Sequence, residues 1–223
     1  MTVKRLRPKR SKISAVKFNL IVRYFSDDLT AVETSRLVNL NRHTVEDYFN
    51  RLRLLIFKDS FKKGKFNGEV EIDESYFGPT RIKGKRGRGA GEKIPVIGLL
   101  KRNGKVYVQI VTNCTKEELM PVIQGKILAG STIYTDGWRS YDGLIVQGYR
   151  HYRVHHHENE FARGHNHVNG IESFWSFVKR RLRKFNGVRK NTFLLYLKES
   201  EWRFNNRGNL KRSLIHLLKT YSR

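Results

Sequence analysis

The amino-acid sequence predicts an α/β fold, a mixed five-stranded sheet with flanking helices, preceded by a small all-α region. Three observations predict it. Through about residue 58 the apolar residues recur at three- and four-residue intervals, the spacing of helices with one buried face. From Glu69 the period drops to two, as in half-buried strands. At Ile171 helical spacing returns, and Ile171, Phe174, Trp175, Val178 and Leu182 form a single apolar stripe.

Composition narrows the partner. The chain has 223 residues, 39% of them hydrophobic, with 13 Phe, 10 Tyr and 3 Trp, enough for an ordered core. Lys and Arg number 45 against 20 Asp and Glu, a net charge of +25. Such an excess attracts polyanions over long range, and nucleic acid is the usual partner. A membrane is the weaker candidate, because no apolar run approaches the length of a spanning helix. Cys114 is the single cysteine, which excludes an internal disulfide and a multi-cysteine zinc site. The basic N-terminus lacks the apolar stretch of a secretory signal, so a cytoplasmic location is expected.

Residues 1–58 read as a basic arm followed by helices. The arm, Met1 to Lys12, is either a solvated tail or a grip on phosphates. A helix is expected from about Ser14 to Phe25. Thr30-x-x-Glu33 is a capping-box start for a short helix ending near Leu37. Asn39-Leu40-Asn41 makes a turn, and Asn41 caps a longer helix with Val45, Tyr48, Phe49 and Leu52 on its apolar side. Short helix, tight turn and longer helix is the pattern of a helix-turn-helix, and plain hairpin packing would read the same. The charge of the chain favours DNA, with Arg42, His43 and Glu46 facing the major groove. Residues 59–68 are the expected linker.

The first strand, EVEIDESYF, alternates Val70, Ile72, Glu74 and Tyr76 against Glu69, Glu71, Asp73 and Ser75. Four carboxylates on one strand cost energy unless a cation or a basic ligand offsets them. Arg81 to Lys93 is a glycine-rich loop carrying Lys83, Lys85, Arg86 and Arg88, suited to tracking a phosphate backbone or to a solvated hairpin. Ile94–Lys101 and Val106–Asn113 pair around Arg102-Asn103-Gly104. Thr115 starts a helix to about Ile127, with Glu118 completing a capping box. Ser131–Thr135 is a short strand ended by Asp136. That residue is an ordinary turn former, yet it stands where open α/β sheets collect ligands. Tyr149–Val154 is a fifth strand.

His155, His156, His157, His165 and His167 read as a polar loop near phosphates, because three consecutive residues cannot all face one ion. On the helix from Ile171, Glu172, Lys179 and Arg183 share one flank of the apolar stripe. Glu172 has two readings. Asn169-Gly-Ile-Glu172 has the form of a capping box with Asn169 as cap, which the helix alone favours. The other reading is a metal ligand facing an anionic substrate. A last helix, about Asn191 to Phe204, packs Phe193, Leu197 and Trp202, and residues 208–223 read as a basic tail.

Asp73 therefore lies on the first strand, Asp136 at the end of the fourth and Glu172 on the late helix. That is the layout of a ribonuclease H-like domain, in which three carboxylates converge at the central edge of the sheet. Hard divalent ions need such oxygen ligands, and two of them roughly 3.5–4 Å apart clamp both oxygens of a phosphodiester displacement.

Four blocks in order, VEIDESYFG, YTDGWRSY, HNHVNGIESFWSFVKRRLRKFNG and YLKESEWRFNNR, resemble the DDE-type transposases of bacterial insertion sequences, in their ISXO-like branch. The likeness runs from about Glu69 to Arg207. It implies Asp73, Asp136 and Glu172 as the catalytic, metal-binding triad, with 35 residues between the last two. It implies Mg²⁺, with Mn²⁺ as its substitute, and Lys179 on DNA beside the site. Arg183, Arg42, His43 and the basic loop would bind further phosphates or bases, and at least a dimer would assemble on double-stranded DNA.

The implied organisation is a helix-turn-helix domain over 1–58, a linker over 59–68, a catalytic domain over 69–207 and a tail over 208–223. The implied function is binding of terminal inverted repeats, then metal-dependent strand cleavage and strand transfer, in a bacterial, nucleoid-associated protein. A resolvase-like nuclease on the same fold, or a domesticated DNA-binding regulator, would share parts of this pattern. The helix-turn-helix pair argues against the first and the intact carboxylate set against the second. Many relatives carry an N-terminal zinc ribbon, which one cysteine rules out here.

Overall fold

Twelve elements follow one another in a computed structural model that describes residues 11–62, 64–78, 93–136, 141, 143–154 and 168–221. The basic arm to Arg10, the loop residues Lys83, Lys85, Arg86 and Arg88, and the five histidines from His155 to His167 lie outside the described residues. The order is α1 (Ala15–Ser26), α2 (Ala31–Val38), α3 (Arg42–Ser60), β1 (Glu69–Phe77), β2 (Ile94–Lys101), β3 (Val106–Ile110) and α4 (Lys116–Lys126). It continues with β4 (Thr132–Asp136), β5 (Arg150–Val154), α5 (Asn169–Arg183), α6 (Phe193–Asn205) and α7 (Leu210–Tyr221). They form two compact units, Met1–Lys63 with Lys184–Arg223, and Gly64–Arg183.

In the helical unit the local signals act as expected. Thr30 accepts from the Glu33 amide at 3.2 Å while Glu33 accepts from the Thr30 amide at 2.7 Å, a complete capping box. Asn39 turns the chain in the left-handed region (φ 49°), and the Asn41 side chain caps α3 by accepting from the His43 amide at 2.8 Å. The core joins Phe18, Ile21 and Phe25 of α1 to Val45, Phe49, Leu52 and Ile56 of α3, and it is closed by Trp202 of α6 with Leu214, Leu217 and Leu218 of α7.

Two expectations change as a result. The residues read as a basic tail form α7, because leucines at helical spacing bury one face while the basic residues stay outside. The first 58 residues also do not hold a complete core of their own, since α6 and α7 supply part of it.

The block YLKESEWRFNNR supplies the polar centre of this unit. Buried Glu199 accepts from Arg53 of α3 at 2.8 Å and from Arg203 at 2.9 Å. Arg203 also donates to the Ser26 carbonyl at 3.1 Å, and Arg53 lies 3.9 Å from the centre of the Tyr196 ring. Helices α1, α3 and α6 are thus tied through one carboxylate.

The second unit begins earlier than the expected linker allows. Helix α3 runs on to Ser60, and Phe66 already bridges to Ile127, donating to the Lys126 carbonyl at 2.7 Å. The sheet order is β3-β2-β1-β4-β5; β1, β2 and β3 are antiparallel, and β4 and β5 run parallel to β1. This is the mixed, ribonuclease H-like sheet that the element order predicted. Strand β3 stops at Ile110, short of Asn113. Thr115 makes no side-chain cap on α4, so the Thr115–Glu118 box does not form; the Asn113 side chain instead accepts the Thr115 amide at 3.0 Å.

Helix α4 packs Leu119 and Ile123 on the face carrying Val70, Ile72, Ile97, Leu99 and Ile133. Helix α5 lies on the other face. There Trp175 seats on Gly98, where an added Cβ would come within 2.5 Å of the indole. Among the described residues no helix is long and apolar enough to cross a membrane.

Glu199→Ala would leave two buried guanidinium groups without their shared carboxylate. The expected cost is about 3–5 kcal/mol of stability, read as a lowered urea or thermal midpoint of the helical signal. An unchanged midpoint would show that the network carries no net stability.

Candidate active site

Strand β1 presents Glu69, Glu71 and Asp73 to one face of the sheet and Glu74 to the other. Glu69 accepts from the Tyr134 hydroxyl at 2.6 Å and lies 3.6 Å from Arg102. Glu71, 1% exposed, accepts from Arg102 at 3.1 Å and from the Ile171 backbone N–H, in the first turn of α5, at 2.9 Å. Glu74 faces the α4 side, where it accepts a hydrogen bond from the hydroxyl of buried Tyr141.

Asp73 lies on the same face as Glu71 and meets other carboxylates. Burial pushes its pKa from 3.8 up to about 6, and the charges of Asp136 and Glu172 add to the rise. Asp136 ends β4, the parallel neighbour of β1, and Glu172 lies on the exposed flank of α5. Asp136 and Glu172 are therefore both within electrostatic range of Asp73. Glu74 is raised to about 7, first by burial and then by Asp136 and Asp73, against the opposing hydrogen bond from Tyr141.

Helix α5 is placed by contacts that local sequence does not announce. It begins at Asn169, with Val168 accepting from the Glu172 amide at 3.2 Å, so Asn169 is inside the helix rather than its cap. The expected Asn169–Glu172 capping box is replaced by Glu71 reaching across from β1. Gly170 makes this possible, because a Cβ there would lie 2.8 Å from the Glu71 carboxylate. Of the apolar stripe, Ile171, Phe174, Trp175 and Val178 are buried, and Arg181 takes the place expected for Leu182.

Lys179 and Arg183 are exposed on α5, and the Lys179 ammonium stands 6.0 Å from the ring of Phe77 at the end of β1. Arg42 and His43 are exposed at the start of α3, in the helical unit. Sequence reasoning missed Arg102, read only as a turn residue, and Tyr141. It also missed Trp175 as a polar group. The Trp175 indole N–H has no partner at full hydrogen-bond distance among the described residues, yet lies close enough to Asp73 to favour its charged form.

An all-oxygen donor set around a carboxyl whose pKa is raised first by burial and then by its acidic neighbours has the chemistry of a hard divalent-cation site. Asp73, Asp136 and Glu172 are the residues that would hold such an ion. As they stand, no three His, Cys, Asp or Glu side chains among the described residues are gathered closely enough to hold one.

The family profile of the ISXO2-like transposase domain matches residues 65–205. The chain belongs to this family. An uncharacterized transposase-like protein of Haemophilus influenzae is 50% identical over 115 residues, covering 52% of this transposase chain and 91% of its relative. An uncharacterized protein in the transposable element ISH50 of Halobacterium salinarum is 33% identical over 152 residues, 61% of this chain and 52% of that one. The transposase chain thus spans about half the length of the second relative.

Similar solved structures include the Mos1 transposase paired-end complex with left transposon end, 12% identical with a TM-score of 0.32, covering 97% of this chain and 81% of that one. Another is the simian T-cell lymphotropic virus intasome in complex with PP2A regulatory subunit B56 gamma, 12% identical with a TM-score of 0.40, covering 69% and 56%. Overlaps this loose leave the assignment to the family match and the sheet order.

The raised pKa values carry a pH dependence. Without divalent cations the folded protein binds more protons at Asp73 and Glu74 than the unfolded chain does between about pH 4 and 7. Their contribution is fully present below the unfolded values and is lost as pH rises through the folded ones. Asp73→Asn should therefore be more stable than the parent in EDTA at pH 8, by about 1–3 kcal/mol, with the gap closing toward pH 5. Equal thermal midpoints for the two proteins at pH 8 would refute the raised pKa of Asp73.

Proposed function

We propose that this transposase binds the terminal inverted repeats of an insertion sequence, cleaves a strand at each end and joins the freed 3′-OH to target DNA. The observation that carries the reading is the convergence of charge on Asp73, where Asp136 and Glu172 both act. Asp73 and Asp136 come from adjacent parallel strands, a rigid base, and Glu172 from the helix that Glu71 clamps.

These three carboxylates would hold Mg²⁺, or Mn²⁺ in its place. When bound, the ions supply an activated nucleophile and stabilise charge on the leaving 3′ oxygen. The protein's own part is to orient and neutralise. Lys179 and Arg183, exposed along α5, meet backbone phosphates. The α2–turn–α3 pair acts as a helix-turn-helix, with exposed Arg42 and His43 at the start of the recognition helix. Two element ends must be joined, so at least a homodimer assembles on DNA. Lys83, Lys85, Arg86 and Arg88 are proposed as further phosphate contacts.

The full chain is the material for testing, because α6 and α7 complete the core beneath α3. On a duplex carrying the element end, Asp73→Asn should lower Mg²⁺-dependent nicking roughly a hundredfold or more and leave binding nearly unchanged. Undiminished nicking would remove Asp73 from the chemistry. In the same binding assay Arg42→Ala should narrow the preference for the repeat over random duplex, by on the order of 1–3 kcal/mol if Arg42 reads a base. A uniform loss on both duplexes would make Arg42 a phosphate contact instead.

A further inference from the structure

One aromatic stack lies on the α5 face of the sheet, beside the carboxylates of β1. Tyr134 of β4 is 4% exposed, and its register partner on β5 is Tyr152, 45% exposed. Their rings lie 20° apart in plane with centroids 5.6 Å apart. On Tyr134 the Arg102 guanidinium sits 3.7 Å from the ring centre, itself held by Glu71 at 3.1 Å and Glu69 at 3.6 Å. The Tyr134 hydroxyl is fixed as well, donating to Glu69 at 2.6 Å, and its pKa is pushed up to about 12 by burial and by that bond. Arg102, Tyr134 and Tyr152 thus form a layered stack whose inner members are locked and whose outer member is open.

Its position matters. Tyr134 and Asp136 are two residues apart on β4 and so face the same way, as do Glu71 and Asp73 on β1. Tyr152 is paired two residues back from the level of Asp136, about 7 Å along the strand direction. Strand β5 is an edge strand, and exposed Arg150 shares the face of Tyr152.

An exposed ring at a sheet edge has two ordinary uses. Strand addition from a protein partner is disfavoured here, because Arg150, His151 and Arg153 in five residues are the kind of charge that blunts an edge. A nucleobase stacks on any aromatic face, tolerates sequence, and brings the phosphates that Arg150 would meet.

We infer that Tyr152 is the outer layer of a stacking platform that takes one unpaired nucleobase of the strand whose phosphate lies at the carboxylates. The inference rests on the proposed strand-cleavage function for the identity of that strand. No base is singled out, because the contact is with a ring face.

The test uses the full-length chain, without metal, on two fluorescent probes of equal length and charge. One is an oligothymidylate and the other the same oligomer with abasic sugars throughout. The parent should bind the oligothymidylate roughly tenfold more tightly at matched salt. Tyr152→Leu should lose that preference and keep its affinity for the abasic probe, whereas Tyr152→Phe should retain the preference. Thermal midpoints of both variants verify that the fold is kept.

Absence of a preference in the parent, or its survival in Tyr152→Leu, would overturn the platform. So would an unchanged preference in Tyr152→Leu accompanied by altered sedimentation, which would make the surface a protein interface. Asp73→Asn should keep the base preference in full. Failure of the cleavage reading would show only in the nicking of duplex ends, and the two failures are thereby separable.

Discussion

A buried carboxylate with two donors fixes the late helix. Glu71 is buried inside the fold, and a buried carboxylate is tolerable only where hydrogen bonds and a cation replace the lost water. The Ile171 amide and Arg102 are those replacements. Because Ile171 is next to Glu172, the same bond that satisfies Glu71 sets the height of Glu172 over the sheet. Gly170 and Gly98 let the helix approach closely enough for this, one beneath Glu71 and one beneath Trp175. The acidic character of β1 is then divided. Arg102 answers Glu69 and Glu71, Tyr141 answers Glu74, and Asp73 is left facing Asp136 and Glu172.

The features legible in the sequence were those settled within a few residues. The Thr30–Glu33 box, the Asn103-Gly104 turn, the period-two alternation of β1 and the apolar stripe of α5 each depend on near neighbours, and each folds as its local chemistry requires. What was hidden depends on partners far along the chain. Arg53 and Glu199 are 146 residues apart, and Glu71 and Ile171 are 100 apart. Asn169 and Thr115 failed as caps because other groups meet those needs, a β1 carboxylate in one case and the Asn113 side chain in the other. Helix α7 was obscured by its basic residues, which occupy the outer face while Leu214, Leu217 and Leu218 turn inward.

Alternation alone could not separate Glu71 from Asp73, since both point to the same side of the sheet. Their roles diverge through Arg102, 31 positions from Glu71, and through the Ile171 amide. A strand with several carboxylates therefore advertises a charged site without saying which of them is spare. The family blocks also cut across the compact units: the third passes from the sheet unit into the helical unit after Arg183, and the fourth lies with the helices around α3. The family match over 65–205 thus covers α6 of the helical unit as well as the carboxylates.

The central claim is that Asp73, Asp136 and Glu172 form one ion site on the α5 face. Anomalous scattering from crystals soaked in Mn²⁺ tests it without relying on activity. The predicted result is a peak between Asp73 and Asp136, with a Glu172 oxygen within ligand distance at roughly 2.0–2.4 Å. A peak confined to Glu74 and Tyr141 on the opposite face, or one at Asp73 that Glu172 does not approach, would contradict the account.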